Sequence, residues 1–367
     1  RLAPRGAGVP EIWLPYGAVE VAVELRHENI MMLAQVEPHP IAGEALREAA
    51  GVFGSREGTV LVLSDSEPVG ELLSMAGRGW RVMAPRRLQS KARRWADAYG
   101  HRWAPLTLEA VRVDGVVLPL PGGPKPLVVL GEARFDPLFG VEGPVAQLLR
   151  GSGQALKGHL EALREGPQVG VETEAWKMAD EVAEKLGDIQ AVEVVEVCSI
   201  PAHVSYGPLA EAHRRATRFL MEAGTLRVEG GARLALVSAG GGRWDSTLSG
   251  ALRALWNVVG VVRPGGAVVL VAECGEGLGS PGLEERVYSR QVRTSGYSEG
   301  LEDVLLMEWA RERYSITLVS TLPRAWVEGR LGLKAGGSAT KALSEHMTPR
   351  SRVLVVPRAG SLALRSQ

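Results

Sequence analysis

Short runs of β-branched and aliphatic residues alternate with amphipathic stretches along the chain, a pattern that predicts an α/β protein with mainly parallel strands. Near the start, Val19-Glu20-Val21-Ala22-Val23-Glu24-Leu25 alternates like a half-buried strand, after a turn at Leu14-Pro15-Tyr16-Gly17. Thr59–Leu63 reads as a buried strand ending in Ser64-Asp65, Arg81–Met83 as another, and Leu127–Leu130 as another that ends in Gly131-Glu132. Helices are predicted over Lys91–Tyr99, closed by Gly100, and over Glu174–Leu186, which leads into the strand Val192–Val197. Pro208–Ala223 is amphipathic, ends at Gly224, and predicts a helix joining two halves. The rhythm then resumes with strand Arg233–Val237, helix Thr247–Val259, strand Ala267–Val271, helix Leu301–Arg311, and strands Ser315–Ser320 and Arg352–Val356. The economical division is an N-terminal α/β domain over residues 1–207, a linking helix over 208–224 and a C-terminal α/β domain over 225–367.

Composition narrows the function classes. A length of 367 residues is enough for two cores, and 45% hydrophobic with 23% charged residues is a globular profile. Forty-two basic residues balance 42 acidic ones, so no global field draws the chain to nucleic acid or to an anionic membrane. Only seven of the basic residues are lysines, so chemistry that needs an amine has few places to find one. Cys198 and Cys274 form no CxxC pair and no disulfide framework, which fits a reducing compartment. No apolar run approaches the roughly 20 residues needed to span a bilayer, and the start lacks a signal-peptide layout. A cytoplasmic location is the expectation.

Candidate chemistry concentrates between Leu234 and Gly279. A strand empties into Ala239-Gly240-Gly241-Gly242, then Arg243-Trp244-Asp245 and a helix. Glycines there let backbone N–H groups approach an anion, with Asp245 and Ser246 as candidate helix N-caps. A tight turn without any ligand is the competing reading. Further on, Arg263-Pro264-Gly265-Gly266 precedes a strand that ends in Glu273-Cys274-Gly275-Glu276-Gly277-Leu278-Gly279. A glycine-rich loop at a parallel strand's carboxyl end is where open α/β sheets bind ligands, and Glu273 and Glu276 are candidates for acid–base work.

The block Ser238-Ala-Gly-Gly-Gly-Arg-Trp-Asp245, the turn Arg263-Pro-Gly-Gly266 and the loop Ala272-Glu-Cys-Gly-Glu-Gly-Leu-Gly279 resemble the second domain of the nickel-dependent lactate racemase (LarA) superfamily. Leu14-Pro-Tyr-Gly17, Ser64-Asp65 and Val355-Val356-Pro357 extend the similarity over most of the chain. The resemblance implies two α/β domains with mainly parallel sheets and a 2-hydroxy acid site in the cleft between them. It also implies a nickel pincer cofactor, bound covalently to a lysine, that takes and returns a hydride. The cleft is expected near Asp65, Asp136, Gly240–Gly242 and Glu273, with Asp245, Arg253 and Glu276 as further substrate contacts.

The cofactor residues are mostly replaced. Ala84-Pro85-Arg86-Arg87 stands where the family has its first nickel histidine, Asp136 near the second and Ala146 at the lysine, whereas His159 matches the third. Glu67 stands where an arginine of the first domain should be, and Gly250 and Arg253 take the places of a glutamine and a lysine that contact substrate. Lys157 is the nearest lysine to the missing one. No pincer cofactor is therefore expected. Asp65, Glu67, Asp136 and Glu142, with His159, form an acidic wall that would suit an anion bridged by Mg²⁺, with Asp136 and His159 as the candidate metal ligands. The competing reading of that wall is solvated loop carboxylates.

Three functions follow. The first is a LarA-like protein binding a small hydroxy or carboxylic acid, an isomerase if it is an enzyme at all. The second is a non-catalytic descendant that binds a ligand or a partner. The third is a class I methyltransferase, suggested by Arg263-Pro-Gly-Gly-Ala-Val-Val-Leu270, but the region 150–170 lacks the strand and acidic-glycine loop that such a fold needs.

Overall fold

The computed structural model describes residues 11–54, 57–113, 115–289 and 297–367. Two largely parallel sheets carry the architecture. In the first, the strands run in the order Ile200–Pro208, Gln190–Val197, Leu127–Asp136, Thr59–Val62, Arg81–Met83 and Arg102–Trp103, with Gly140–Glu142 turned back on Leu127–Asp136. Only Ile200–Pro208 and Gly140–Glu142 pair antiparallel to their neighbours. In the second, Lys334–Gly336, Ser315–Val319, Val262–Val271, Ala232–Ser238, Val353–Val356 and Ile30–Leu33 are parallel throughout. Parallel sheets need both faces covered, which is why these strands read as near-continuous apolar runs.

The covering layers follow from the amphipathic segments. Helices Gly43–Ala50, Glu67–Met75 and Gln89–Tyr99 bury Leu46, Leu72 and Ala92 against Val60, Val82 and Val128 on one face of the first sheet. The hairpin Glu11–Tyr16/Val19–Glu24 covers the outer face of the second sheet, where Leu14 and Val23 meet Leu236, Val269 and Val355. Between the sheets one continuous core runs from Leu61 and Phe135 through Leu220 to Leu252 and Trp256.

Two expectations are revised. Residues 1–207 do not form one unit. The hairpin packs on the second sheet, and Ile30–Leu33 is its edge strand, with Ile30, Met32 and Leu33 opposite Val353, Leu354 and Val355. Their apolar side chains cover a face and an edge of the second sheet; residues 1–10 lie outside the described residues. The strand placed at Leu127–Leu130 continues to Asp136, because Gly131 and Glu132 stay extended against Glu193 and Val194. Glu132 and Asp136 are thus strand residues. The joining helix spans Leu209–Gly224 and packs on the strand Gln190–Val197, where His213 pairs with Glu193 at 2.9 Å. Among the described residues no helix is long and apolar enough to cross a membrane.

Candidate functional site

The carboxyl ends of the central strands of both sheets point into one cleft. Thr59–Val62 delivers Ser64 and Asp65, Leu127–Asp136 delivers Glu132, and Gln190–Val197 delivers Glu196. From the other side, Ala232–Ser238 opens into the glycine turn and presents Arg243. The Arg243 guanidinium reaches Asp65 at 3.1 Å, Glu132 at 2.6 Å and Glu196 at 2.7 Å, and lies 4.6 Å from the Trp244 ring. The Trp244 indole N–H donates to Glu196 Oε2 at 3.2 Å, and Ser64 Oγ donates to Glu132 Oε2 at 3.1 Å. One cation is shared by three carboxylates, of which Glu132 and Glu196 are buried and Asp65 is partly exposed.

Burial and the nearby Glu132 outweigh Arg243 at Glu196 and push its carboxyl up to about 7. Burial also acts to raise Asp65, but Arg243 and Lys91 prevail and hold it below the usual range. Glu196 sits where the hairpin register slips, with Val195 opposite His203 but Glu196 opposite Pro201. Such irregularities re-aim a side chain. The two-residue loop that follows, Cys198-Ser199, has φ of +51° and +60° without a glycine, a conformation costing about 1–3 kcal/mol per residue. A Cβ on Gly240 would lie 2.6 Å from Ser199 Oγ, so Gly240 makes room for that loop.

Next to this cluster is a cavity of about 520 Å³. Its walls include Asp65, Glu67, Lys91, Glu196, Gly240–Trp244 and Arg358, with Gly17–Glu20 closing one side. Of the residues expected at the site, Asp65 and the glycine turn are here. The turn is already engaged: Gly242 N–H donates to Gly17 O at 2.7 Å and Gly240 N–H to Ser238 Oγ at 3.2 Å. Glu132, Glu196, Lys91, Ser199 and Arg358 were missed. Lone carboxylates in the apolar strand Gln190-Ala-Val-Glu-Val-Val-Glu-Val197 were the available signal.

Asp245 lies behind the turn rather than in the cavity. Its Oδ2 accepts from Gly17 N–H at 2.9 Å and Glu273 N–H at 3.1 Å, and burial raises its pKa. It is not the helix cap; Thr247 is, accepting from Gly250 N–H at 3.2 Å, because Asp245 is turned to the N-terminal hairpin. Glu273 lies against Gly17, where an added Cβ would meet its carboxylate at 2.1 Å, and the side chain of Glu276 is exposed. Cys274 is buried, and burial with Asp245 and Glu273 nearby pushes its thiol up to about 12.

Arg253 and Asp136 form a second cluster. Asp136 Oδ1 accepts from the Leu138 and Phe139 N–H groups at 2.9 and 2.8 Å, and Oδ2 from Arg150 at 2.6 Å and Arg253 at 3.0 Å. Glu142 takes Arg134, Arg150 and Arg253 at 2.8–2.9 Å, and these arginines overcome its burial to hold it well below the usual carboxylate range. Arg150 also pairs with Glu302 and donates to the Tyr297 hydroxyl oxygen at 2.8 Å. The acidic wall is therefore divided: Asp65 faces the cavity, whereas Asp136 and Glu142 are consumed by arginines. His159 stands apart, half-buried near Glu174, its pKa lowered by burial. Among the described residues no group of three His, Cys, Asp or Glu is arranged to hold a metal ion.

Solved structures share this architecture. The lactate racemase apoprotein from Thermoanaerobacterium thermosaccharolyticum superposes with a TM-score of 0.75 at 14% identity, over 97% of this chain and 100% of that one. The fold is LarA-like. A protein from Thermotoga maritima has a TM-score of 0.63 at 9% identity, over 90% of this chain and 100% of that one. No protein-family model and no curated protein matches the chain. The LarA-like fold explains why two sheets present their carboxyl ends to one cleft; at these identities it fixes the architecture alone.

Proposed function

We propose that the chain binds a small hydroxy or carboxylic acid in the cavity between its sheets and does so without a nickel pincer cofactor. The observation that carries this is the pairing of Lys91 and Arg358 in the cavity wall. Neither enters an ion pair among the described residues, although almost every other cation near the cleft does. Lys91 donates to the Asp65 backbone carbonyl at 2.5 Å and lies 5.3 Å from the Trp95 ring, but neither cation is neutralised by a direct carboxylate pair among the described residues. Two such cations from opposite halves, beside a hydroxyl-bearing loop at Ser199, suit a carboxylate with a polar neighbour.

The pincer does not suit the residues present. At the matching positions Asp136 has both oxygens taken by four donors, Ala146 offers only a buried methyl, and Lys157 is exposed. A soft nickel site needs imidazole and a tethering amine instead. Chemistry, if the cavity supports it, rests on the chain's own carboxylates. A non-catalytic binding protein is the second reading, favoured by Arg243, which three carboxylates hold in the cleft.

Titration calorimetry with lactate, with and without Mg²⁺, tests the reading. Lys91→Ala and Arg358→Ala are each expected to weaken binding by roughly ten-fold, about 1.4 kcal/mol. Heats unchanged in both variants would overturn the assignment of the cavity. Elemental analysis and intact mass are expected to show no stoichiometric nickel and no adduct; either would overturn the cofactor-free part.

A further inference from the structure

The charge inventory of the cavity has a consequence for how an anion enters it. Arg243, the cation at the centre of the cluster, is shared by Asp65, Glu132 and Glu196. Glu20 and Glu67 add two more carboxylates around the opening, and Lys91 and Arg358 supply the remaining cations of the wall. With every group ionised the carboxylates outnumber the cations before any ligand arrives. A ligand carboxylate adds another negative charge beside Glu132 and Glu196, which are buried, so repulsion at those two groups is weakly screened.

Glu196 is the member placed to relieve this. It lines the cavity, is 5% exposed, and is turned there by the register slip of its strand. Arg243 and the Trp244 indole hold its two oxygens from the second half, and Glu132 faces it from the neighbouring strand. Resting on the cavity assignment above, we infer that Glu196 is the proton-accepting residue of the site: an acid anion binds together with one proton taken from solvent onto the Glu196 carboxylate. The charge of the cavity is then unchanged by binding, and Glu196 becomes a hydroxyl donor beside the ligand, able to read a carboxylate or hydroxyl oxygen. In the free protein burial and Glu132 already bring this carboxyl up to about 7, so a further anion acts on a group poised to protonate.

The test is calorimetric titration of the full chain with lactate and separately with malate, in buffers of different ionisation enthalpy, at about pH 6 and about pH 8. The expected result is close to one proton taken up per ligand at the higher pH and little at the lower. Affinity should fall by up to about ten-fold per pH unit above 7. Glu196→Gln should bind with no proton uptake and with a flat pH dependence. Binding by the wild-type chain without proton uptake would overturn this inference and leave the cavity assignment standing. Uptake that persists in Glu196→Gln would move the proton to another carboxylate and overturn it equally. If neither acid binds at either pH, the cavity assignment itself fails, and this inference with it.

Discussion

Arg243 is the residue on which the cleft turns. Its guanidinium neutralises part of a cluster that would otherwise hold three carboxylates within a few ångströms of one another. Arg243→Met keeps the stem against Trp244 but removes the charge. Removing one partner of a buried ionic cluster costs about 3–5 kcal/mol, which urea unfolding at neutral pH should register. The deficit should shrink toward pH 5, where the freed carboxylates can protonate; an equal deficit at both pH values would show that packing, not charge, was lost. Glu196 makes a contribution of its own. Its folded pKa lies above the unfolded value, so the native state binds the extra proton and that contribution is complete at low pH and lost as pH rises toward about 7. Glu196→Gln should flatten the stability profile between about pH 4.5 and 7. The sequence pointed to Asp65 and the glycine turn because their motif is contiguous. It was silent on Glu132, Glu196 and Arg358, whose roles depend on which strands are neighbours.

The elements that build the site are pinned by buried polar groups on glycine-rich turns. Asp245 joins the hairpin at Gly17 to the loop at Glu273. Asp245→Ala leaves both N–H groups without their acceptor, a cost of about 1–3 kcal/mol each. Faster amide hydrogen exchange at Gly17 and Glu273 is expected, with the strand Leu127–Asp136 unaffected. Gly17→Ala should be worse than its small size suggests, because φ is +55° and the new methyl meets Glu273. On the joining helix, burial disfavours a charged His213, but Glu193 and Asp180 prevail and raise its pKa. Its stabilising contribution is then complete below the unfolded value near 6.5 and lost as pH rises through the folded one. His213→Leu should therefore destabilise most at about pH 6, and a deficit that grew with pH would contradict the pairing. Most elements were legible from periodicity, with shifts of one or two residues. The error at Leu127–Leu130 arose because a glycine and a glutamate look like a loop until Glu132 finds Arg243.

At the scale of the molecule, two ionic clusters bridge the halves: Arg243 with Asp65, Glu132 and Glu196, and Arg253 with Asp136 and Glu142. The alternation of strands and helices made the LarA-like α/β architecture readable, and the glycine motifs made the resemblance specific. What could not be read was the traffic between halves, since no local pattern says which sheet a short apolar run will join. Ile30–Leu33 is the case in point: it crosses over to lie beside Val353–Val356, and Ala34 N–H donates to Val355 O at 2.8 Å. During synthesis this strand leaves the ribosome long before its partner exists. At about 5–20 residues per second the gap lasts on the order of tens of seconds. For that interval the strand Ile30–Leu33 has no neighbour to pair with, while the first sheet can already assemble behind it. Val353–Val356 thus closes the second sheet and retires a waiting apolar strand, so a nascent chain released before Val353 should be unusually dependent on chaperones.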